Sequence, residues 1–194
     1  MKTKFLHIAT ALLFAGFTSS CSDFLDRYPL DELSDSSFWK TENDAMMAVT
    51  DIYGCLPTWD QDEDINSDNA VHGIKWAAGN ISKGIYDPMD QSWAGSYTPI
   101  RQCNLVLEKV KDIEMSDESR KKIEGQAYFF RAFVYFNLIR SFGDVPYIDK
   151  PLNLTDVEDI TRTPREEVYA KVMADFDKAI EYLPEEWDAA NTPR

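Results

Sequence analysis

The sequence predicts an all-α fold of antiparallel helical hairpins with one long irregular loop that is rich in aromatic residues. Three observations lead to this prediction. Gly125–Pro146 carries apolar residues on almost every side of a helix, which is typical of a helix inside a protein core. Helix start and stop signals frame a second apolar stripe in residues 163–184. Pro57–Gln91, by contrast, lacks helical periodicity and is rich in Asp, Asn, Gly and Trp.

The first helix is predicted to begin at Thr41. Threonine is a good N-cap, and Glu42 and Asp44 are favoured near the positive end of the helix dipole. Gly54 and Pro57 end the helix. The apolar residues between these signals recur at helical spacing and form one stripe: Ala45, Ala48, Val49, Ile52 and Tyr53.

Two further helices follow the irregular loop. One is predicted over Ser92–Lys111, with Pro99 either early in it or kinking it. The next runs from Ser116 to Phe142 and stops at Gly143, which suits a left-handed C-terminal cap. Because the joint between these helices is short, we expect them to form an antiparallel hairpin.

Two arginines lie inside the apolar helix. Arg131 and Arg140 argue against a membrane span, because a guanidinium group in hydrocarbon is costly. A buried Arg131 needs a partner. Gln126 can form a hydrogen bond with it but cannot neutralise it, so Glu124 is the predicted source of the opposite charge.

The last helix has the clearest boundaries. Thr163 is the predicted N-cap, Pro164 occupies the first turn, and Glu166 stands at the capping-box position. Pro184 ends the helix. Its apolar stripe consists of Val168, Val172, Phe176, Ala179 and Leu183.

The spacing of Phe176, Ala179 and Pro184 resembles the last part of a tetratricopeptide repeat. Although the segments show no fixed period, paired antiparallel helices beside this spacing favour tetratricopeptide-like helical hairpins as the fold.

Charge and cysteine content exclude several classes of protein. The net charge of −14 disfavours nucleic acid, whose phosphates need a basic face, and docking on an anionic membrane by charge alone. Cys103 lies on an apolar helix face and is predicted to be a buried small hydrophobe. No CxxC spacing, histidine-rich zinc spacing or phosphate-cradling glycine motif occurs, so we expect no catalytic residue, metal or cofactor.

The N-terminus is interpreted as a bacterial lipoprotein signal over residues 1–20. A basic start at Lys2 and Lys4 precedes an apolar run that is too short to span a bilayer. Small residues and Cys21 follow, which predicts cleavage and fatty acylation of Cys21 with chains such as palmitate. An ordinary secretory signal with an incidental cysteine is the alternative. Residues 21–37 are polar and acidic and are predicted to tether a domain that begins at residue 38.

The irregular loop is the predicted binding region, since a loop this long in a compact domain is usually functional or disordered. Sugar rings expose apolar C–H faces that stack on aromatic rings, and Asn and Asp side chains bind hydroxyl groups. Trp76 and Tyr86 have an alternative role, in which they only hold the loop against the helices. The candidate ligand-binding residues are Trp59, Asp60, Asn66, Asp68, Trp76, Asn80 and Tyr86.

Part of this loop, Asp60–Asp68, resembles the start of an EF-hand calcium site. Ile65 stands where glycine is needed for the turn, and Val71 where the bidentate glutamate belongs. A solvated acidic loop is therefore favoured over a calcium site.

Several segments resemble the SusD/RagB family of outer-membrane nutrient-binding lipoproteins. They are FFRAFVYFNLIRSFGDVP at 129–146, SFWKTENDAMMAV at 37–49, SWAGSYTPIRQCNLVLEKV at 92–110 and TRTPREEVYAKVMADFDKAIEYLP at 161–184. The resemblance implies a surface-exposed, lipid-anchored, non-enzymatic protein. It would capture oligosaccharides for a TonB-dependent (SusC-like) transporter, with ligand contacts partly from the loop after the first helix.

Family members are considerably longer, so the resemblance implies that residues 38–194 are an N-terminal helical domain truncated before further repeats and a C-terminal half. Three alternatives stay open at this point. They are a RagB-like protein for peptide uptake, a helical-repeat scaffold that binds other proteins, and a hydrolase whose catalytic groups lie beyond Arg194.

Overall fold

The computed structural model describes residues 38–56, 93–156 and 159–187. The predicted signal peptide with Cys21, the acidic tether and the irregular loop lie outside these described residues. Four α-helices form the described part, and short 3-10 turns follow α1 and α2. The helices are α1 (Glu42–Ile52), α2 (Trp93–Lys109), α3 (Asp117–Phe142) and α4 (Arg165–Tyr182). The predicted all-α fold is confirmed.

The start of α1 is as predicted. Thr41 is the N-cap, and its hydroxyl accepts a hydrogen bond from the Asp44 N–H (3.3 Å). The Asp44 carboxylate in turn accepts from the Thr41 N–H (2.8 Å), which completes a capping box. The hydrogen bond from the Thr41 side chain lowers the pKa of Asp44 below its usual value. After Ile52 the chain continues in a 3-10 turn, Tyr53–Cys55.

The helices α2 and α3 form the predicted hairpin. Pro99 lies inside α2, and a 3-10 turn follows Lys109. Ser116 caps α3 by accepting a hydrogen bond from the Ser119 N–H (3.0 Å). Arg120 donates to the carbonyls of Val110 and Ile113 at the end of the connection, so orphan carbonyls there are satisfied.

Two apolar clusters share α3. The first packs α1 and α2 against its N-terminal half, and Cys103 is completely buried there, as predicted. Burial raises the pKa of the Cys103 thiol. The second cluster packs α4 and the early part of α2 against the C-terminal half, around Tyr135, Leu138 and Val168. The described core therefore has α3 at its centre.

The expectation that α3 is buried on all sides is wrong at two positions. Phe129 and Phe136 keep 38% and 42% of their surface exposed. The physical reason is that α1, α2 and α4 cover other faces of α3.

Arg131 finds its partner on another helix, which corrects the prediction of Glu124. Its Nε and Nη2 donate to the two carboxylate oxygens of Asp175 in α4, each at 2.7 Å. Its Nη1 donates to Asn104 Oδ1 (2.8 Å). Burial by itself would lower the pKa of Arg131, but the hydrogen bonds and charge of Asp175 outweigh it and raise the pKa. Glu124 faces the positive charges of Arg120, Lys111 and Lys178 instead.

The start of α4 differs from the prediction. The backbone of Thr163 pairs with Val145 in an antiparallel bridge, with N–H···O distances of 3.3 and 3.0 Å, so Thr163 does not cap the helix. Pro164 is the N-cap residue and makes no side-chain capping bond. The capping acceptor is Asp144 Oδ1, which lies 2.9 Å from the Arg165 N–H.

The end of α3 is as predicted. Gly143 has a positive φ of 70° and its N–H donates to the Ile139 carbonyl (3.1 Å). Glycine is favoured in this conformation because it has no Cβ. The turn places Asp144 and Val145 where they reach the start of α4.

Candidate ligand-binding site

The seven residues predicted to bind ligand all lie outside the described residues. They are Trp59, Asp60, Asn66, Asp68, Trp76, Asn80 and Tyr86. The structure does describe the two points from which the loop that carries them departs, at the end of α1 and at the start of α2. The local structure at these two points determines how firmly the loop is attached to the helices.

The end of α1 is fixed to α3 through Tyr53. The Tyr53 hydroxyl donates to Gln126 Oε1 (2.8 Å), and Gln126 Nε2 donates to the Lys122 carbonyl (2.9 Å). The Tyr53 ring meets Phe130 edge-on, with a centroid distance of 4.6 Å. Gln126, considered as a partner of Arg131 from the sequence, therefore binds Tyr53 instead. Partial burial raises the pKa of Tyr53.

The start of α2 is held by Trp93 and Tyr97. Trp93 meets the Phe142 ring edge-on at 4.8 Å, and the guanidinium carbon of Arg162 lies 5.2 Å from the Trp93 ring centroid, within reach of a cation–π contact. The Tyr97 hydroxyl donates to the Pro146 carbonyl (3.0 Å), and burial raises the pKa of Tyr97 to about 12. Both residues are partly buried and pack against the second apolar cluster.

A groove of about 870 Å³ opens beside these two attachment points. It is lined by the end of α1, the first half of α2 and the middle of α3. Residues next to both ends of the loop, Cys55 and Gly95, contribute to its wall. Gln102 Nε2 donates to Asp51 Oδ2 (2.7 Å), which ties α2 to α1 across this groove.

A buried polar network around Arg131 joins α2, α3 and the segment that follows α3. Asn104, which accepts from Arg131, also donates through Nδ2 to the Ile148 carbonyl (2.9 Å). The Tyr135 hydroxyl donates to the same carbonyl (3.1 Å) and accepts from the Ile148 N–H (2.7 Å). The segment after α3 is thereby fixed against α2 and α3.

Sequence reasoning missed Asn104 and Asp175 as partners of Arg131, and it missed the residues of the groove. A buried arginine shows that a carboxylate must be near, but spacing along the chain does not show which one. The described residues contain no cluster of three or more His, Cys, Asp or Glu that could hold a metal. The described helices also include none that is long and apolar enough to cross a membrane.

Comparison with known proteins identifies the family. A family model described as SusD-like, starch-binding associating with outer membrane, matches residues 23–194. The chain belongs to the SusD-like family. The resemblance seen in the sequence is confirmed, and this family consists of binding proteins.

Curated SusD-like relatives match nearly the whole chain. SusD-like protein P2 of Formosa agariphila is 30% identical over 199 residues, which cover 95% of the chain and 38% of that protein. A SusD-like protein of Bacteroides ovatus is 26% identical over 201 residues, or 97% of the chain and 36% of that protein. The chain therefore spans less than two fifths of the length of these relatives.

Solved SusD-like structures share the fold. A SusD-like protein of Bacteroides fragilis superposes with a TM-score of 0.72 at 24% identity, covering 87% of the chain and 34% of that structure. A laminarin-binding SusD-like protein superposes with a TM-score of 0.67 at 25% identity, covering 78% and 36%. The helices described above are thus those of the SusD-like fold.

Proposed function

We propose that the chain forms part of a SusD-like surface lipoprotein that binds oligosaccharides without cleaving them and passes them to a TonB-dependent outer-membrane transporter. The match to a family described as starch-binding and associating with the outer membrane carries this proposal. A solved neighbour described as laminarin-binding supports a glycan as the ligand. The acidic net charge of −14 is compatible with a neutral sugar.

The ligand-binding residues of this proposal lie in the loop that joins α1 to α2. Its two attachment points are held to the helices by contacts, because Tyr53 is hydrogen-bonded to α3 and Trp93 contacts Phe142 and Arg162. A binding loop attached to rigid helices loses less conformational entropy on binding than one attached to mobile segments. Trp59 and Trp76 are the aromatic residues that would stack on sugar rings.

Replacing Trp59 and Trp76 together with Ala tests the loop. We expect binding of maltoheptaose and laminarin oligosaccharides, measured by calorimetry, to be lost while the melting temperature stays unchanged. Tyr169→Ala is the matched control, because Tyr169 is a 50% exposed aromatic residue on α4. Glycan binding that survives the double substitution would refute the assignment, and binding of peptides in place of glycans would refute the ligand class.

The lipid anchor is proposed at Cys21, after the predicted signal peptide. Metabolic labelling with a palmitate analogue should label the chain in its native host, and Cys21→Ala should abolish the labelling. Label that persists in this variant would contradict the anchor.

The proposed transporter partner is tested by copurification. After detergent extraction of outer membranes, an affinity-tagged chain should retain a large TonB-dependent transporter. Its absence from the purified material would count against transfer of the ligand to such a partner.

A further inference from the structure

One face of α3 presents an aromatic ring to the groove. Phe133, Phe136, Asn137 and Arg140 line it, and their spacing of three and four residues places them on one side of the helix. Phe136 is 42% exposed, although it is surrounded in sequence by buried core residues. An exposed ring on a rigid helix offers a flat apolar surface of the kind on which the C–H face of a sugar packs.

Polar groups with unused hydrogen-bonding capacity flank this ring. The Asn137 amide donates once, to the Phe133 carbonyl (3.0 Å), which leaves its oxygen and a second N–H available. Arg140 is exposed and has no hydrogen bond or ion pair within the described part of the chain. Both groups can bind sugar hydroxyls beside the ring.

The opposite wall of the groove supplies acceptors. Gln102 donates its hydrogen bond to Oδ2 of Asp51, so Oδ1 of the same carboxylate remains available to accept a hydrogen bond from a ligand. Pro99 has no N–H, and the carbonyl of Gly95 therefore lacks its usual partner one helical turn later. Gly95, Pro99 and Asp51 all line the groove.

The size and charge of the groove fit a neutral sugar. Its volume of about 870 Å³ lies within the roughly 300–1,000 Å³ of small-molecule sites. Among the described residues that line it, the formal charges are Asp51 and Arg140, which balance each other, so these residues favour neither an anionic nor a cationic ligand. The groove also adjoins both ends of the loop proposed to bind glycan.

We propose that Phe136, Asn137 and Arg140, facing Asp51 and the Gly95 carbonyl, form a second binding surface for a neutral oligosaccharide on the helical body. This inference rests on the proposed glycan-binding function. It extends that function from the loop to residues of α1, α2 and α3.

The full chain provides a matched pair of substitutions. Phe129 is on the same helix and 38% exposed, but it packs near Phe133 and Phe176 and does not line the groove. Affinities for maltoheptaose, laminarin oligosaccharides and an anionic alginate oligosaccharide are measured by calorimetry. Phe136→Ala should weaken binding of a neutral glucan at least fivefold, Phe129→Ala should change it less than twofold, and alginate should not compete.

Several results would overturn the proposal. If Phe136→Ala binds neutral glucan with the same affinity as the unsubstituted chain, the groove is excluded as a binding surface and the loop alone is left as the binding region. A concentration-dependent dimer that Phe136→Ala abolishes would show that a second copy occupies this face. Failure of the unsubstituted chain to bind either glucan would instead refute the proposed function itself.

An NMR titration of the unsubstituted chain avoids dependence on a variant that folds poorly. The side-chain amide of Asn137 and the backbone amide of Gly95 should shift with a neutral glucan at the concentrations that saturate binding. Saturated binding without shifts at these groups would refute the groove as a site.

Discussion

Asp175→Ala is the most direct test of how the described fold is held together. In the structure the two residues of the pair, Arg131 and Asp175, are each only 6% exposed, and they share two hydrogen bonds of 2.7 Å. Removing one partner of a buried ion pair costs about 3–5 kcal/mol, because the other charge stays buried. Asn104 still accepts from Arg131 at 2.8 Å, so we expect the lower end, about 3 kcal/mol.

The assay is thermal and urea unfolding followed by far-UV circular dichroism at pH 7. A loss of about 3 kcal/mol corresponds to a fall in Tm of roughly 10 °C for a chain of this size. Asp177→Ala is the matched control, since Asp177 is exposed on the same helix, and its effect should stay within about 0.5 kcal/mol. The double variant R131M/D175L should recover most of the stability, because an apolar pair leaves no buried charge.

Two results would refute this reasoning. One is a loss below about 1 kcal/mol for Asp175→Ala, which would mean that water or another group compensates Arg131. The other is an equal loss for Glu124→Ala, since that would restore the partner predicted from the sequence.

Three further predictions concern the N-cap of α1, the N-cap of α4 and the thiol of Cys103. Thr41→Ala should raise the pKa of Asp44 towards its usual value in an NMR titration, because the hydrogen bond from Thr41 is the main cause of the lowered pKa. That bond stabilises the fold above the ordinary carboxyl pKa, and the contribution is lost as the pH falls through the lowered pKa; an unchanged titration would contradict it. Asp144→Ala should cost about 1 kcal/mol in urea unfolding by removing the cap of α4, whereas Thr163→Ala should cost clearly less, and the reverse order would disprove the cap. Cys103 should resist iodoacetamide at pH 8 until urea unfolds the chain, because burial raises its pKa and blocks access; modification of the folded chain, seen by mass spectrometry, would argue against this burial.

The features predicted correctly from the sequence are local ones. The start of α1 depends on Thr41 and Asp44, which are three residues apart, and the end of α3 depends on the conformation of Gly143. Signals of this kind are complete within a few residues, so a single sequence contains them. The same is true of the apolar stripes, whose spacing gives both the helix and its buried face.

The features that were missed depend on contacts between distant residues. Arg131 and Asp175 are separated by 44 positions, and the cap of α4 comes from Asp144, 21 positions before Arg165. Thr163 carried the correct local signal for a cap, but its backbone is taken up by the bridge to Val145. The groove likewise combines residues of α1, α2 and α3, which only the packing of the helices brings together.

The bridge between Val145 and Thr163 turns the connection from α3 to α4 into a closed loop. Contacts to Ile148 hold its first part, and the bridge holds its end, so the described stretch Asp159–Thr161, which lies outside any helix, can change in length while both ends stay in place. Closing a longer loop costs little, since each doubling of length adds only about 0.6 kcal/mol. Insertions, epitope tags and fluorescent labels can therefore be placed there without changing the direction in which α4 leaves the bridge, which gives the protein a site where sequence can be added at little structural cost.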